Sequence, residues 1–251
     1  MQSPQSMNSG AAAHRFPATR LSVLLRIGET DEADRAEAFS LLTAAYWRPI
    51  YAYLRFRWGL APSDAEDLTQ SFLATAWERG FLAEHDAGRA RFRTFLRFCL
   101  DRHVQKHRTA AGALKRGGGA QLLSLDFAQA EDDFDVIEPP DPTDTERLFR
   151  REFVRQLFAY AVAQLRSELE GRGRDVIFAV FDRYDLGPSD GARYADIARE
   201  LGITTSQATN HLHTARRRFR EIVLARLREL CGSEVEFRDE ARDILGVELT
   251  S

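Results

Sequence analysis

Three side chains of the kinds that bind metal ions recur every four residues, at Cys99, His103 and His107. On one straight helix the first and third would lie about 12 Å apart, because each residue adds about 1.5 Å, and both could not bind one ion. The two histidines alone could bind zinc, but no nearby acid or cysteine completes the usual set of ligands. We therefore predict that Cys99 packs in the core and that the histidines contact solvent or phosphate.

The sequence also lacks the other arrangements that support catalysis. The run Gly117-Gly118-Gly119 is not followed by the Lys-Ser/Thr of a phosphate-binding loop, so chain flexibility explains it. The carboxylates between 126 and 146 are too many and too disordered for a general acid and base pair. No nucleophile has a recognisable base beside it. We predict a protein that is not an enzyme and that uses no cofactor and no metal.

The segment from Tyr194 to Arg220 is suited to contact with DNA. It predicts a short helix, then a turn at Gly202, where glycine tolerates a positive φ, and then a second helix capped by Thr204 or Thr205. Ile203 would fill the corner between the helices. The residues predicted to face inward are Tyr194, Ile197, Ala198, Leu201, Ala208, Leu212 and Ala215. This pattern is typical of a helix-turn-helix.

The outer side of the second helix has side chains that can contact DNA. Short polar groups near a helix N-terminus can reach base edges in the major groove, and we assign that role to Thr205, Ser206, Thr209 and His211. The basic residues that follow and can bind phosphates are Arg216, Arg217, Arg218 and Arg220. An αα-hairpin with an exposed basic end is the other interpretation, and the run of arginines favours DNA binding.

Helical periodicity dominates the rest of the chain, and no alternating strand pattern is convincing. We predict an all-α fold of two helical domains joined by an acidic flexible linker, with the second domain ending in the helix-turn-helix. The predicted division is a disordered leader at 1–19, a helical domain at 20–112, the linker at 113–145, a second domain at 146–230 and a C-terminal tail at 231–251.

Within these domains the apolar spacing predicts five further helices. They cover 36–58, 63–77, about 92–110, 145 to about 170, and about 175–184. Pro49 interrupts the first, which is therefore either two helices or one kinked helix. Ser63 and Glu66 have the spacing of a capping box at the start of the second.

Charged residues are segregated along the chain, although the formal net charge is only −3. Residues 91–116 contain eight Lys or Arg and one acid, and residues 211–228 contain six Arg and one acid. Residues 126–146 between them contain nine acids and no base. Two basic stretches around an acidic connector indicate two contacts with a polyanion, whereas solvated helix faces are the simpler interpretation of either stretch alone.

Four segments resemble the motifs of one family, in the order in which that family has them. Asp64-Ala65-Glu66-Asp67-Leu68-Thr69-Gln70, followed by Phe72 and Trp77, resembles the polymerase-binding segment of bacterial sigma factors of the extracytoplasmic-function group, in the sigma-70 family. The stretch 39–54 is similar to the helix before that segment. Residues 91–96 resemble the start of the family's minus-ten helix, and 194–220 resemble its minus-thirty-five module. The resemblance covers roughly residues 36–230.

The resemblance implies a factor that binds the clamp and flap regions of core RNA polymerase and directs promoter recognition, DNA melting and transcription initiation. The polymerase contacts that it implies are Asp64, Glu66, Asp67 and Gln70. The implied promoter DNA contacts in the first domain are Arg91, Arg93, Arg97, Arg102 and Lys106. Those in the second domain are Thr205, Ser206, Thr209, His211, Arg216, Arg217 and Arg218. The loop 84–91 would hold a flipped base, and the acidic linker would lie in the RNA-exit path. An anti-sigma factor is a further partner that the resemblance allows.

The alternative function is that of a one-component transcriptional regulator, with an N-terminal helical domain for sensing or dimerisation. A second alternative is an enzyme with an unrecognised helical site. The segment 64–70 counts against both, because neither needs a polymerase-binding motif.

No apolar run reaches the ~20 residues that span a bilayer. Two cysteines and a polar leader without an apolar core lead us to expect a cytoplasmic protein that does not bind membranes.

Overall fold

We describe the protein from a computed structural model, which covers residues 23–28, 31–110, 125–135, 144–187 and 193–246. The leader predicted at 1–19 and the glycine run at 117–119 lie outside these described residues. Every regular element within them is helical, which confirms the predicted all-α class. The helices are α1 (Val23–Arg26), α2 (Glu32–Arg57), α3 (Pro62–Arg79), α4 (Phe92–Ala110), α5 (Phe127–Asp135), α6 (Thr145–Glu170), α7 (Asp175–Phe181), α8 (Tyr194–Glu200), α9 (Thr205–Glu229) and α10 (Glu234–Leu245). A 3₁₀ turn spans Phe81–Glu84, and a π-helical turn spans Asp182–Leu186.

The first long segment is one helix, which settles the question raised by Pro49. α2 begins after Asp31, whose side chain accepts a hydrogen bond from the backbone N–H of Asp34 at 2.9 Å. It continues through Pro49 to Arg57. Its apolar and aromatic residues are buried on several sides, because α2 contacts α1, α3 and α6.

The capping box predicted at Ser63 and Glu66 is wrong. α3 begins at Pro62, with Ala61 as the N-cap and no side-chain cap. Proline is favoured at the first helical position because its φ is already helical and the missing N–H has no partner there. The helix ends at Gly80, whose φ of 65° lies in the left-handed region.

The two predicted domains share one hydrophobic core in this structure. α2 and α6 form the most extensive contact between any two described helices. The ring of Tyr46 on α2 stacks on Phe153 of α6 at 5.0 Å and meets the edge of Phe92 of α4 at 5.3 Å. Beside these rings, the Arg48 guanidinium donates to Glu152 at 3.0 Å, and both side chains are buried. The halves are therefore packed against each other as well as connected through the chain.

The described part of the predicted flexible linker is helical, which corrects that prediction. The buried residues of α5 are Phe127, Ala130 and Phe134. The ring of Phe127 lies 4.9 Å from that of Tyr51 on α2. Glu131 accepts two hydrogen bonds from Arg55, at 2.7 and 2.8 Å, which hold the pKa of Glu131 below its ordinary value. The apolar spacing of i, i+3 and i+7 forms one helical face, and it outweighs the density of acids.

The segment predicted as a C-terminal tail also contains a packed helix. α10 begins after Ser233, whose hydroxyl accepts a hydrogen bond from the backbone N–H of Glu236 at 3.1 Å. Phe237 and Ala241 are buried against the rest of the protein. Residues 234–245 therefore belong to the folded body.

The local geometry from 194 to 229 follows the predicted order of helix, glycine turn and helix. Gly202 has a φ of 65°, and a hydrogen bond runs from Ile203 N to Ala198 O at 2.9 Å. Thr204 caps α9 in a capping box, with Gln207 N donating to the Thr204 hydroxyl and Thr204 N donating to Gln207 Oε1. The predicted inward residues Ala208, Leu212 and Ala215 are buried.

In the part of the chain that the structure describes, no helix has both the length and the apolar character needed to cross a membrane.

Candidate nucleic-acid interface

The predicted polymerase-binding residues lie together on the outer face of α3. Asp64, Asp67 and Gln70 are exposed, and Glu66 is partly exposed. Leu68 and Phe72, on the opposite face, are buried as predicted and fix the orientation of the helix. Among the described residues, the four outer side chains have no ion pair or hydrogen-bond partner. We call these four residues the α3 face.

The predicted base-contacting residues lie at the N-terminal end of α9. Thr205, Ser206 and Thr209 are exposed, and His211 is partly exposed. The Thr209 hydroxyl donates to the backbone carbonyl of Thr205 at 3.0 Å, as threonines inside helices often do. The capping box and the buried inner residues of α9 hold this polar surface in a rigid helical geometry.

The arginines that follow differ in their accessibility. Arg217 is exposed and has no acidic partner among the described residues. Arg216 makes two hydrogen bonds to Asp185, at 2.6 and 2.8 Å. Arg218 makes two to Glu168, at 2.7 and 2.8 Å, and these bonds hold the pKa of Glu168 below its ordinary value. Arg217 is therefore free to bind a phosphate, whereas Arg216 and Arg218 would have to share their donors or exchange partners.

The beginning of α4 is not open to DNA in this structure, which differs from the expectation for Arg91 and Arg93. Arg93 is only 6% exposed, and its guanidinium donates to Glu240 of α10 at 3.1 Å. Arg91 pairs with Asp243 of the same helix. Both predicted phosphate contacts are thus neutralised by carboxylates of the chain itself.

The predicted contacts further along α4 have mixed surroundings. Arg97 pairs with Glu146 of α6 at 3.4 Å, and its side chain is mostly buried. Arg102 and Lys106 are exposed and have no acidic partner among the described residues. The guanidinium of Arg102 lies 5.7 Å from the ring centre of Phe98, which is 58% exposed.

A cavity of about 710 Å³ lies between α3, the 3₁₀ turn and the middle of α4. Its wall combines cationic and aromatic side chains, among them Arg79, Phe81, Phe98, Arg102, His103 and Lys106. The loop predicted to hold a flipped base contributes only Glu84 to this wall. The other residues of that loop do not line the cavity, and His85 among them packs against Phe92 and Phe95.

The side chains first considered as metal ligands lie in partly apolar surroundings. His103 contacts the Ser71 hydroxyl at 3.3 Å and the edge of Phe72, and burial lowers its pKa to about 4, with help from the nearby His107, Lys106 and Arg79. Burial raises the pKa of the Cys99 thiol to about 11. Nowhere in the described ranges do three His, Cys, Asp or Glu side chains come together to hold a metal ion.

Sequence reasoning missed the acids that pair with the predicted DNA contacts. On α10, Glu240 and Asp243 pair with Arg93 and Arg91, and Glu236 accepts the backbone N–H of Phe92 between them. Their spacing of four and then three residues, with Phe237 and Ala241 beside them, is the pattern of one helical face. That spacing is visible in the sequence, but a tail at 231–251, as predicted, gives it no structural role.

No known protein family, curated protein or solved structure matches this chain in the three comparisons with known proteins.

Proposed function

We propose that this protein is a sigma factor, which binds core RNA polymerase and directs it to promoters, where it supports DNA melting and initiation. The observation that supports this most is the α3 face. Four acidic or amide side chains are held outward by a well-anchored helix, and among the described residues they have no partner. Those side chains also carry the sequence that resembles the polymerase-binding segment.

Electrostatics argue that the α3 face binds protein and not nucleic acid. A surface with three carboxylates repels the phosphate backbone, and it suits a basic protein surface. The exposed side of α9 and the second half of α4 have the opposite character, with Arg217, Arg102 and Lys106 available for phosphates. A chain with one face for a protein and two for DNA has the surfaces needed to attach a polymerase to a promoter.

Within this proposal, α8 and α9 form a helix-turn-helix that reads the upstream promoter element. The N-terminal turns of α9 would enter the major groove, where Thr205, Ser206, Thr209 and His211 can reach base edges. Residues 20–112 and 146–230 would act as two functional domains. Contact with two separate promoter elements would then require the halves to part along the α2–α6 contact.

The cavity beside α4 supports a role in promoter melting. Unstacked bases are bound by aromatic rings and guanidinium planes, and their phosphates are bound by cations. Phe98 is exposed at the edge of the cavity, and Arg102 lies over its ring. We therefore assign the flipped base to this cavity and not to the loop 84–91.

Binding of core polymerase by the α3 face is the direct test. Asp67→Arg combined with Gln70→Ala should weaken binding to core RNA polymerase by at least about tenfold, because a reversed charge in a complementary contact costs several kcal/mol. Both residues are exposed, so circular dichroism and the urea midpoint should not change. Asp175→Arg is the matched control, since Asp175 is an exposed acid near the start of a different helix.

Unchanged affinity of the double variant for core polymerase would overturn the proposed use of the α3 face. The alternative function, a one-component regulator, predicts a different result. Such a protein binds its operator tightly and specifically without polymerase at physiological salt. The sigma-factor proposal expects weak promoter binding by the protein alone.

A further inference from the structure

One face of α10 is acidic and is directed at the N-terminal end of α4. Glu236, Glu240 and Asp243 are spaced by four and three residues, so they lie on one side of the helix. Glu236 and Glu240 are buried although they are acids, with 5% and 3% of their surfaces exposed. Burial of carboxylates on this scale requires strong partners.

The partners of these acids are the cationic groups at the beginning of α4. The Glu236 carboxylate accepts the backbone N–H of Phe92 at 2.6 Å and, with its other oxygen, that of Gly232 at 2.8 Å. Glu240 forms an ion pair with Arg93 at 2.6 Å, and Asp243 pairs with Arg91. One helix therefore provides a carboxylate for a free helical N–H and one for each of two arginines.

This arrangement copies the contacts that phosphates make with proteins. The first N–H groups of a helix have no internal partner and carry a partial positive charge, so they bind anions. α4 has no acid in its own first turn, and Glu236 of α10 supplies that negative charge. A DNA strand could not bind Arg91, Arg93 and this N–H while the three carboxylates occupy them.

The attachment of α10 is also suited to release. α10 has 12 residues, and isolated helices of that length are marginal in water, so α10 is stable as a helix only while it is docked. Its fully buried apolar residues are Phe237 and Ala241, and Ile244 and Leu245 are partly buried against the core. The charged contacts therefore provide a large share of what holds α10 in place, and other anions can compete for them.

We propose that α10 is an autoinhibitory helix that occupies the phosphate-binding end of α4 in the free protein and must leave before that end contacts DNA. The inference rests on the proposed function, since it takes Arg91 and Arg93 as DNA contacts. It also identifies α10 as the segment that keeps this DNA-binding face covered.

The test measures DNA affinity in full-length variants, with a fluorescein-labelled single strand of about 20 nucleotides and the matching duplex. Asp243→Asn removes the hydrogen-bonded partner of Arg91 and leaves it only the longer contact with Glu240, at 3.9 Å, so binding should tighten by a few fold as this cation becomes more available to a phosphate. Asp239→Asn is the matched control. It removes the same charge from the same helix, but among the described residues the ion pair of Asp239 is with Arg242 of α10 itself, and its charge acts on Arg91 more weakly than that of Asp243. Equal effects of the two variants would show a dependence on net charge alone and would overturn the proposal.

A chain that ends at Ser233 gives the larger effect. It should bind the single strand at least about tenfold more tightly than the full chain, and Arg91→Ala in the truncated chain should remove most of that gain. The truncation also removes six acids and two arginines, which is why the single-charge variants are needed beside it. Hydrogen exchange at Phe92 should become faster, because its N–H loses the Glu236 acceptor.

The outcomes separate this inference from the proposed function. If the truncated chain does not fold, as judged by circular dichroism, the comparison of Asp243→Asn with Asp239→Asn decides whether α10 inhibits DNA binding. If it folds and binds DNA no more tightly, α10 does not inhibit. Core polymerase binding by the same preparations tests the proposed function separately, because the α3 face does not include α10.

Discussion

Glu152→Met tests whether one buried ion pair holds the two halves of the molecule together. The Glu152 side chain is completely buried and accepts a hydrogen bond from Arg48 across the α2–α6 contact at 3.0 Å. Its replacement by methionine fills a similar volume and leaves the Arg48 charge in the core. Arg48 keeps one acidic partner, Asp133 of α5, at 2.5 Å.

The size of the effect follows from that geometry. Removal of one partner of a buried pair costs about 3–5 kcal/mol, because the other charge stays buried without compensation. Since Asp133 remains, we expect a loss near the lower end, about 3 kcal/mol in the free energy of unfolding. For a chain of this size each kcal/mol lowers Tm by about 2–4 °C, so Tm should fall by about 6–12 °C.

The double variant Arg48→Met with Glu152→Met provides the decisive comparison. It removes both charges, and such replacements of buried pairs are often neutral. Arg151 and Arg155 also lose Glu152, but their side chains are 35% exposed, so the double variant should recover at least about half of the single-variant loss. Urea unfolding followed by circular dichroism, together with calorimetry, measures the single variants Glu152→Met and Arg48→Met and the double variant. Asp196→Met is the control at a surface pair, where the expected cost is about 1 kcal/mol or less. If the costs of the two buried substitutions simply add, the pair does not couple the halves and our account of the α2–α6 contact is wrong.

Two further predictions concern DNA contacts and pH. Thr209→Ala should change the ranking of promoters that differ by single bases in the upstream element, by ~1–3 kcal/mol at one position, whereas Arg217→Ala should weaken transcription from all of them together. Transcription from a panel of such promoters measures both effects. If both variants keep the activity and the promoter ranking of the unmodified protein, α9 does not read the promoter as proposed. His103, whose pKa is lowered to about 4 from its ordinary value of about 6.5, takes up a proton more readily in the unfolded chain, so stability should fall as pH decreases from about 6.5 to about 4. His103→Gln should reduce that dependence in urea titrations, and an unchanged slope would mean that the histidine does not contribute.

The sequence predicted the elements with strong local signals. The helix from Phe92 to Ala110 and the helix from Thr145 to Glu170 have the predicted bounds, because their apolar residues recur at 3.6-residue spacing over several turns. The turn at Gly202 was predictable because a positive φ favours glycine. The outward orientation of Asp67 and Gln70 followed from the inward apolar residues beside them.

Other features depend on contacts far apart in sequence and could not be predicted in this way. Arg93 is a basic residue in a basic stretch, which is typical of a DNA contact, but its partner Glu240 lies 147 residues away in the sequence. The common core of the two halves depends on how Tyr46 meets Phe153, which no local pattern specifies. Packing against the rest of the protein also determines whether α5 and α10 are helical, since short acidic helices have little stability outside a packed structure.

Transcription with purified components tests the central claim most directly. Bacterial core RNA polymerase is incubated with sheared bacterial genomic DNA, with and without the protein, and the 5′ ends of the transcripts are mapped. We predict discrete start sites that depend on the protein, share upstream sequence elements, and disappear with the Asp67→Arg and Gln70→Ala variant. Transcripts that are the same with and without the protein would contradict the assignment as a sigma factor.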